Sequence, residues 1–141
     1  MKKSVIFLIG ILYIVSIVVV TFFGLQPSID QFQIYMNSIS ISNYDSIISG
    51  RKYIFLEYDE VEGYSSVTIE YEYGPTNASY PDRVSFTLTG NTITDAEGNT
   101  ITYAVVNNYG EVVFTSRGTV RLTITTADGS RLSDVVTIRC S

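Results

Sequence analysis

Hydrophobic and polar positions divide this chain into two parts. The first part, residues 4–25, contains no Asp, Glu, Lys or Arg and is built almost entirely of Ile, Val, Leu and Phe. A helix over these residues would rise about 33 Å at ~1.5 Å per residue, which matches the ~30 Å hydrocarbon core of a bilayer. The pattern therefore predicts one transmembrane helix over residues 4–25.

The second part, residues 32–141, alternates between apolar and polar residues with a period of two, which is typical of half-buried β-strands. Turn signals rich in Gly, Pro, Asn and Asp separate the runs, and Asp128-Gly129 predicts a hairpin. These features predict an all-β fold, as an antiparallel sandwich or barrel. Residues 53–58 are a further β-rich run, for which no face is assigned. In the other runs, the positions expected to face the core are Ile39, Ile41, Val67, Ile69, Tyr71, Tyr73, Val84, Phe86, Leu88, Ile101, Tyr103, Val105, Val112, Phe114, Val120, Leu122, Ile124, Val136, Ile138 and Cys140.

The start of the chain favours an uncleaved signal anchor. A secretory signal peptide has an apolar stretch of only ~7 to 15 residues, with small residues one and three positions before the cut. Here the apolar run is longer, and bulky Phe22 lies two positions before the small Gly24. Cleavage at a poor site near Ser28 is the alternative.

The flanking charges predict the orientation of this anchor. Lys2 and Lys3 precede the apolar run, so the positive-inside bias places residues 1–3 in the cytoplasm. Residues 26–31 are then a short linker, and residues 32–141 lie outside the plasma membrane of a single-pass protein. Because the span holds no charge, a transporter or proton relay is not expected.

The chain after the helix is acidic. The whole sequence has nine basic and fourteen acidic residues, and leaving out Lys2 and Lys3 gives seven basic residues against fourteen acidic ones. A surface that neutralises phosphates needs clustered Lys and Arg, whereas the arginines here are scattered singly along the sequence. Nucleic acid is therefore not expected as a partner.

The chain contains no His and one Cys. Triads with a His base and His-ligated zinc sites are thereby excluded. Cys140 shares the phase of Val136 and Ile138, which predicts a small buried core residue rather than a nucleophile. A lone Cys allows no intramolecular disulfide, and this favours a bacterial surface domain that is held by packing.

Carboxylate pairs make a glycosidase an alternative. Glu70 and Glu72 lie ~6.6 Å apart on one face of a predicted strand, within the range of an inverting pair, and Asp59 precedes Glu60. Nothing in the sequence predicts a cleft around them. A solvated acidic face is therefore favoured, and neither an enzyme activity nor a cofactor is predicted.

Loop oxygens make a Ca²⁺ site a second alternative. The donors are Asp95, Glu97, Asn99 and Asp128. They lack the spacing of a calcium loop, so ordinary turns are favoured and no metal site is predicted.

Three motifs follow one another in the last half of the chain. They are a Tyr-Gly-Pro-Thr-Asn-Ala turn at 73–78, an Asn-Tyr-Gly-Glu-Val turn at 108–112, and a Gly-Thr-Val strand start at 118–120 that leads to the Asp-Gly hairpin at 128–129. Their order and spacing resemble the group 2 bacterial immunoglobulin-like domain of invasin-type and intimin-type adhesins.

The resemblance implies a single immunoglobulin-like antiparallel β-sandwich after the transmembrane helix. It extends over residues 34–72 only by pattern, and Phe86 stands where that family usually carries Trp. Phe can fill the same core position. A likeness of this kind implies a fold and leaves function to be argued from the surface.

Six positions are candidate partner contacts. Tyrosines near turns can stack on a sugar or anchor a protein contact, and acidic residues lie beside them. The candidates are Tyr58, Tyr64, Glu70, Glu72, Tyr80 and Tyr109. The sequence thus predicts a non-catalytic, membrane-anchored surface protein that displays its β domain to a protein or carbohydrate. The alternative is a small accessory structural subunit of an envelope or secretion membrane assembly.

Overall fold

The computed structural model describes residues 2–24 and 32–141. The chain divides into two compact units, Met1–Gln33 and Ile34–Ser141. The predicted linker at residues 26–31 lies outside the described residues. Each unit is therefore described by itself.

The first unit contains one described helix, α1 (Lys3–Gly24), of 22 residues. Its Lys3–Phe22 stretch is long and apolar enough to cross a membrane by length and composition, which makes it a candidate membrane span. The Thr21 hydroxyl donates a hydrogen bond of 2.7 Å to the carbonyl of Ile17, so this polar group is satisfied within the helix. Leu25, the predicted last residue, lies outside the described residues.

The described part of the second unit consists of strands and their connections. In chain order the strands are β1 (Ser38–Ile41), β2 (Ser46–Ile48), β3 (Arg51–Leu56), β4 (Ser65–Thr68), β5 (Tyr71–Gly74), β6 (Val84–Thr89), β7 (Thr92–Thr94), β8 (Thr100–Thr102), β9 (Ala104–Val106), β10 (Glu111–Phe114), β11 (Gly118–Thr126) and β12 (Ser133–Cys140).

These strands pair into two main layers. One layer is a five-stranded sheet in the order β2-β3-β12-β11-β6, in which β3 and β12 are parallel and the other neighbours antiparallel. The second layer contains the three-stranded sheet β4-β10-β9, while β1 pairs with β5 and β7 pairs with β8. The unit is mostly β and its sheets are not closed, which is consistent with the expected immunoglobulin-like β-sandwich.

Alternate side chains of both layers fill a common core. The least exposed large side chains are Phe114, Ile41, Leu122, Ile124, Ile138, Val112, Val120 and Val136. Cys140 is also buried, at the end of β12. The period of two that the sequence shows over β10, β11 and β12 is therefore confirmed, and Cys140 is the buried core residue expected from its phase.

One predicted strand is wrong in its continuity. The sequence alternates without a break from Val67 to Tyr73, which predicts one continuous strand, but β4 pairs with β10 and β5 pairs with β1, so the chain changes partner between them. The Ile69 amide still donates to the Gly110 carbonyl, in line with the β4-β10 ladder, whereas the Glu70 amide donates to Asn43 Oδ1 and the Glu70 carbonyl accepts from the Ser42 amide, so the partner changes at Glu70. Alternation continues through the break, and Ile69 is buried as predicted.

A second prediction, of which side chains between residues 101 and 105 face the core, is wrong for two residues. Ile101 and Val105 were expected to face the core with Tyr103, yet they are 46% and 53% exposed, and Ala104 is buried in their place. The Tyr103 amide donates to the Asn91 carbonyl, in line with the β7-β8 ladder, while the Tyr103 carbonyl accepts from the Thr115 amide, in line with the β9-β10 ladder. The chain therefore changes its pairing partner at Tyr103, and the alternation is reset there. The sequence pattern could not reveal this reset, because it depends on a contact between distant residues.

Residues 34–41, which we call the leading segment, begin the β unit and end with β1. The carboxylates of Asp128 and Asp134 hold this segment. The Met36 amide donates to Asp128 Oδ2 and the Ile41 amide donates to Asp134 Oδ2, each at 2.7 Å. Lys52 Nζ lies 2.5 Å from the same Asp134 oxygen and also donates to the Ile41 carbonyl at 2.9 Å. This leading segment is thereby attached to both β3 and β12.

The same contacts favour the ionised carboxylates. Hydrogen bonds from the Met36 amide and the Ser130 hydroxyl lower the pKa of Asp128. Partial burial opposes ionisation of Asp134, but hydrogen bonds from Lys52 and the Ile41 amide outweigh it, so the pKa of Asp134 is also below its ordinary value.

Replacing Asp134 by Asn should lower the free energy of unfolding by about 2 kcal/mol, because the Lys52 ammonium loses its charged partner. Urea unfolding of the full chain in mild detergent, followed by tyrosine fluorescence, measures this loss. The matched control is Glu97→Gln, which neutralises an exposed turn carboxylate and should change stability by less than about 0.5 kcal/mol. Equal losses in the two variants would contradict the proposed role of Asp134.

The pH dependence gives a second readout of the same variant. A carboxyl with a lowered folded-state pKa stabilises the fold above its unfolded pKa of ~3.9 and loses that contribution as the pH falls through the folded-state pKa. We expect the wild type and Asp134→Asn to differ at neutral pH and to converge under acid conditions. A constant difference would show that Asp134 does not titrate differently in the folded protein.

Candidate partner-contact surface

The six candidate contacts fall in three places on the β unit. Tyr58 and Tyr64 belong to the connection between β3 and β4, which we call the acidic loop (residues 57–64). Glu70, Glu72 and Tyr109 lie around β5 and the turn before β10, and Tyr80 lies in the connection between β5 and β6. The structure therefore does not bring all six into one patch.

Tyr58 supports the acidic loop from within. Its hydroxyl lies 2.8 Å from the Gly63 carbonyl and 3.0 Å from the Thr115 carbonyl and donates its one hydrogen between these two acceptors, and its ring packs against the core. The Arg117 guanidinium lies 6.0 Å from the ring centroid, within reach of a cation–π interaction. Tyr58 is thus a framework residue that holds the loop against β10.

The acidic loop borders an open hollow of about 300 Å³. Tyr64, which is 49% exposed, lines this hollow together with Glu57, Asp59 and Glu62. Asp59 Oδ1 accepts hydrogen bonds from the Val61 and Glu62 amides, so the loop backbone has a defined shape. The hollow presents an aromatic ring beside several carboxylates.

A network of hydrogen bonds fixes the base of this hollow. The Asp59 amide donates to Ser65 Oγ at 2.7 Å, and Ser65 Oγ donates to the Glu57 carbonyl at 2.9 Å. Glu60 and Arg117 form an ion pair whose side chains are both largely exposed. An exposed pair of this kind adds little stability, so Ser65 contributes more to the shape of the hollow.

Glu70 and Tyr109 lie at the opposite end of β4 from Tyr64. The Ile69 amide donates to the Gly110 carbonyl, which places the turn containing Tyr109 beside Glu70. Tyr109 is 86% exposed, and Asn107 Oδ1 closes its turn by accepting the Tyr109 amide at 2.9 Å. Glu72 follows on β5, exposed and paired in register with Ser40.

Tyr80 is separate from both groups. The Arg83 guanidinium carbon lies 3.9 Å from the centroid of its ring, so one face of the ring is covered by a cation from its own loop. The Ser79 amide beside it donates to the Ile34 carbonyl. Tyr80 therefore belongs to the surface where the leading segment enters the fold.

The oxygen donors that suggested a Ca²⁺ site act in separate turns. Asp95 closes residues 95–99 by accepting the Asn99 amide at 2.7 Å, and the Asn99 side chain lowers the pKa of this carboxyl. Asp128 instead holds the Met36 amide. Over residues 2–24 and 32–141, no group of three or more His, Cys, Asp or Glu side chains is arranged to hold a metal ion.

The Cys140 thiol has the environment of a core residue. Burial raises its pKa, although the positive charge of Arg117 acts in the opposite direction. A raised pKa leaves the thiol protonated and weakly nucleophilic at neutral pH.

A second hollow, not expected from the sequence, lies on the five-stranded sheet. Arg51 and Arg121 flank this hollow of about 160 Å³, whose floor includes Val135 and Thr137. The arginines are far apart in sequence and come together only because β3 and β11 both pair with β12. The signal that could have indicated it is the outward phase of both arginines on their strands.

Comparison with solved structures gives several likenesses, one of which is to an intimin. The chain is similar to a solved structure of an intimin mutant from EHEC O157:H7, with 16% sequence identity, 74% of this chain covered and a TM-score of 0.43. The match covers 47% of that chain, so this chain spans about half of its length. No protein-family model matches the chain, and no curated protein matches it.

Gly110 gives a test of how the turn with Tyr109 is positioned. Its φ is 81°, and a Cβ here would lie 2.7 Å from Phe86 Cζ, whereas Gly50 has a φ of 77° with open space around it. Gly50→Ala should cost only the strain of ~1–2 kcal/mol, and Gly110→Ala should cost ~1–3 kcal/mol more because it also overpacks Phe86. Urea unfolding measures both. Equal costs would show that Phe86 moves away freely.

Proposed function

We propose that this protein is a single-pass membrane protein that displays a non-catalytic binding domain outside the plasma membrane. Helix α1 is the uncleaved anchor, and residues 1–3 lie in the cytoplasm. The β unit contacts a protein or carbohydrate partner through its exposed tyrosines and carboxylates. This is an adhesion-type role in which binding, not turnover, is the activity.

The observation that carries this proposal is the division of the chain into a charge-free apolar helix and a separately cored β unit. Lys2 and Lys3 lie at only one end of the helix, which supports an N-terminus inside the cell. The β unit carries an acidic hollow open to solvent and lacks His. These features suit surface recognition better than chemistry in an enclosed site.

Within this proposal, the four candidate tyrosines differ in how accessible their side chains are to a partner. Tyr64 and Tyr109 expose their rings, whereas the Tyr58 hydroxyl is used within the fold and the Tyr80 ring is stacked by Arg83. Aromatic rings with exposed faces and nearby hydrogen-bonding groups suit both sugars and proteins. The acidic loop with Tyr64 and the turn with Tyr109 are therefore the proposed contact points.

Membrane topology is tested by thiol labelling in intact cells, in a Cys140→Ala background. A membrane-impermeant maleimide should label Glu97→Cys directly and should label a cysteine inserted before Lys2 only after permeabilisation. Intact mass of the purified protein should correspond to the full chain. A mass that starts near Ser28 would show cleavage of the anchor, and the reverse labelling pattern would overturn the proposed orientation.

Partner contact is tested by photo-crosslinking in producing cells. A benzophenone amino acid in place of Tyr64 or Tyr109 should give a discrete crosslinked species, because both side chains are exposed at the proposed contact points. The control is the same replacement at Ile93, which is 51% exposed on the β7-β8 hairpin. Crosslinks from Ile93 alone would move the contact to the hairpin, and crosslinks from α1 positions alone would favour an accessory membrane subunit.

A further inference from the structure

The outer surface of the five-stranded sheet differs in charge from the rest of the β unit. Along each strand, the residues that alternate with the buried core residues point away from the core, and residues paired in register on neighbouring strands point to the same side of the sheet. On this surface, which we call the arginine face, they include Arg51, Tyr53, Phe55, Ser85, Thr87, Thr89, Thr119, Arg121, Thr123, Thr125, Val135, Thr137 and Arg139.

These outward positions contain three arginines and no Asp or Glu, although the chain as a whole carries a net charge of −5. All three arginines are exposed, and none forms an ion pair with a described carboxylate. The nearby Asp134 carboxylate is already bonded to Lys52 Nζ and the Ile41 amide. The guanidinium groups therefore remain available to an external anion.

The arginine face also has the shape and the apolar contacts of a docking surface. Arg51 and Arg121 line the hollow of about 160 Å³ together with Lys52 and Asp134, whose charges pair with each other. The Tyr53 and Phe55 rings stack with centroids 6.0 Å apart, and Phe55 is 49% exposed. Arg binds phosphate through a planar fork of donors, and exposed aromatic rings pack at lipid headgroup level.

The acidic residues of the unit lie mainly on other surfaces. Glu70 lies beside β5 and Glu72 lies on it, and β5 pairs with β1 and not with a strand of the five-stranded sheet. Asp45 and Glu57 lie nearer, at the rim close to Phe55. Among the outward positions of the five-stranded sheet named above, the charged side chains are therefore all arginines.

The chain itself keeps the β unit near a membrane if α1 is an anchor. Nine residues, 25–33, separate the helix from the β unit. They span at most ~31 Å at ~3.4 Å per residue. Tethering at this distance makes docking an intramolecular event, so weak contacts are enough to populate it.

We infer that the arginine face lies against the anionic phospholipid headgroups of the membrane that holds α1. Arg51, Arg121 and Arg139 contact lipid phosphates, and Phe55 packs at headgroup level. This inference rests on the proposed anchoring and adds an orientation to it. Docking by this face directs the turn with Tyr109, which precedes β10 in the other layer, away from the lipid.

The test reconstitutes the full chain, with Cys140→Ala, into vesicles of phosphatidylcholine alone or mixed with phosphatidylglycerol. A fluorescent label is placed at Thr87→Cys on the arginine face or, as the matched control, at Thr68→Cys on the opposite layer; both positions are exposed strand threonines. A water-soluble quencher should reach the Thr87 label less well in the anionic vesicles only. The Thr68 label should be quenched equally in both.

Replacing Arg51, Arg121 and Arg139 by Gln should weaken the binding of the arginine face to the anionic membrane. Each replacement should lower the docking equilibrium about fivefold, which corresponds to the ~1 kcal/mol per basic residue near an anionic membrane. Raised salt should have the same effect. Thr87 quenching that is the same in both lipids, or unchanged in the triple Gln variant, would overturn the inference.

Two further outcomes are separable. Flotation with neutral vesicles tests the anchor alone, so failure to float would refute the anchoring proposal and the tether with it. Flotation with an exposed Thr87 label in anionic vesicles would refute only the docking inference. Protection that follows the protein-to-lipid ratio and not the lipid charge would assign the face to contact with a second copy of this chain.

Discussion

The fold of the β unit depends on how residues 34–41 are attached to the last two strands. β1 pairs with β5 in a ladder of only four residues, and a two-stranded ribbon of this size is marginal alone. The Met36 and Ile41 amides, on the side away from β5, need acceptors because an unpaired backbone amide is costly when buried. Asp128 and Asp134 provide them, which ties the first strand to the hairpin that ends the chain.

The parts of the fold that follow from alternation were predictable from sequence. Val120, Leu122 and Ile124 are buried because β11 is a central strand with one face on the core. Where a tertiary contact interrupts a strand, the pattern misleads. Tyr103 is one such point, since its hydroxyl donates to the Thr119 carbonyl and its ring occupies the space left by the absent side chain of Gly118.

The surface was less predictable, because nearness in sequence and nearness in space differ. Tyr58 and Tyr64 were equivalent in sequence as tyrosines near a turn, yet one is bonded into the loop and the other is exposed. The carboxylates of Asp128 and Asp134 looked like ordinary turn and strand residues, since the Met36 and Ile41 amides that they accept from are more than ninety positions away. Scattered arginines became one face only when the strand order was known.

The parallel pairing of β3 with β12 has a mechanical consequence. Ser141 donates its amide to the Leu56 carbonyl, and its own carbonyl accepts from the Tyr58 amide, so the end of the chain is bonded to the base of the acidic loop. If the protein is anchored and binds a partner at that loop as proposed, a pulling force enters through residues 34–41 and leaves beside Ser141. The hydrogen bonds of Asp128 and Asp134 then lie in the path of the force, and their rupture would set how much tension the unit withstands before its first strand detaches.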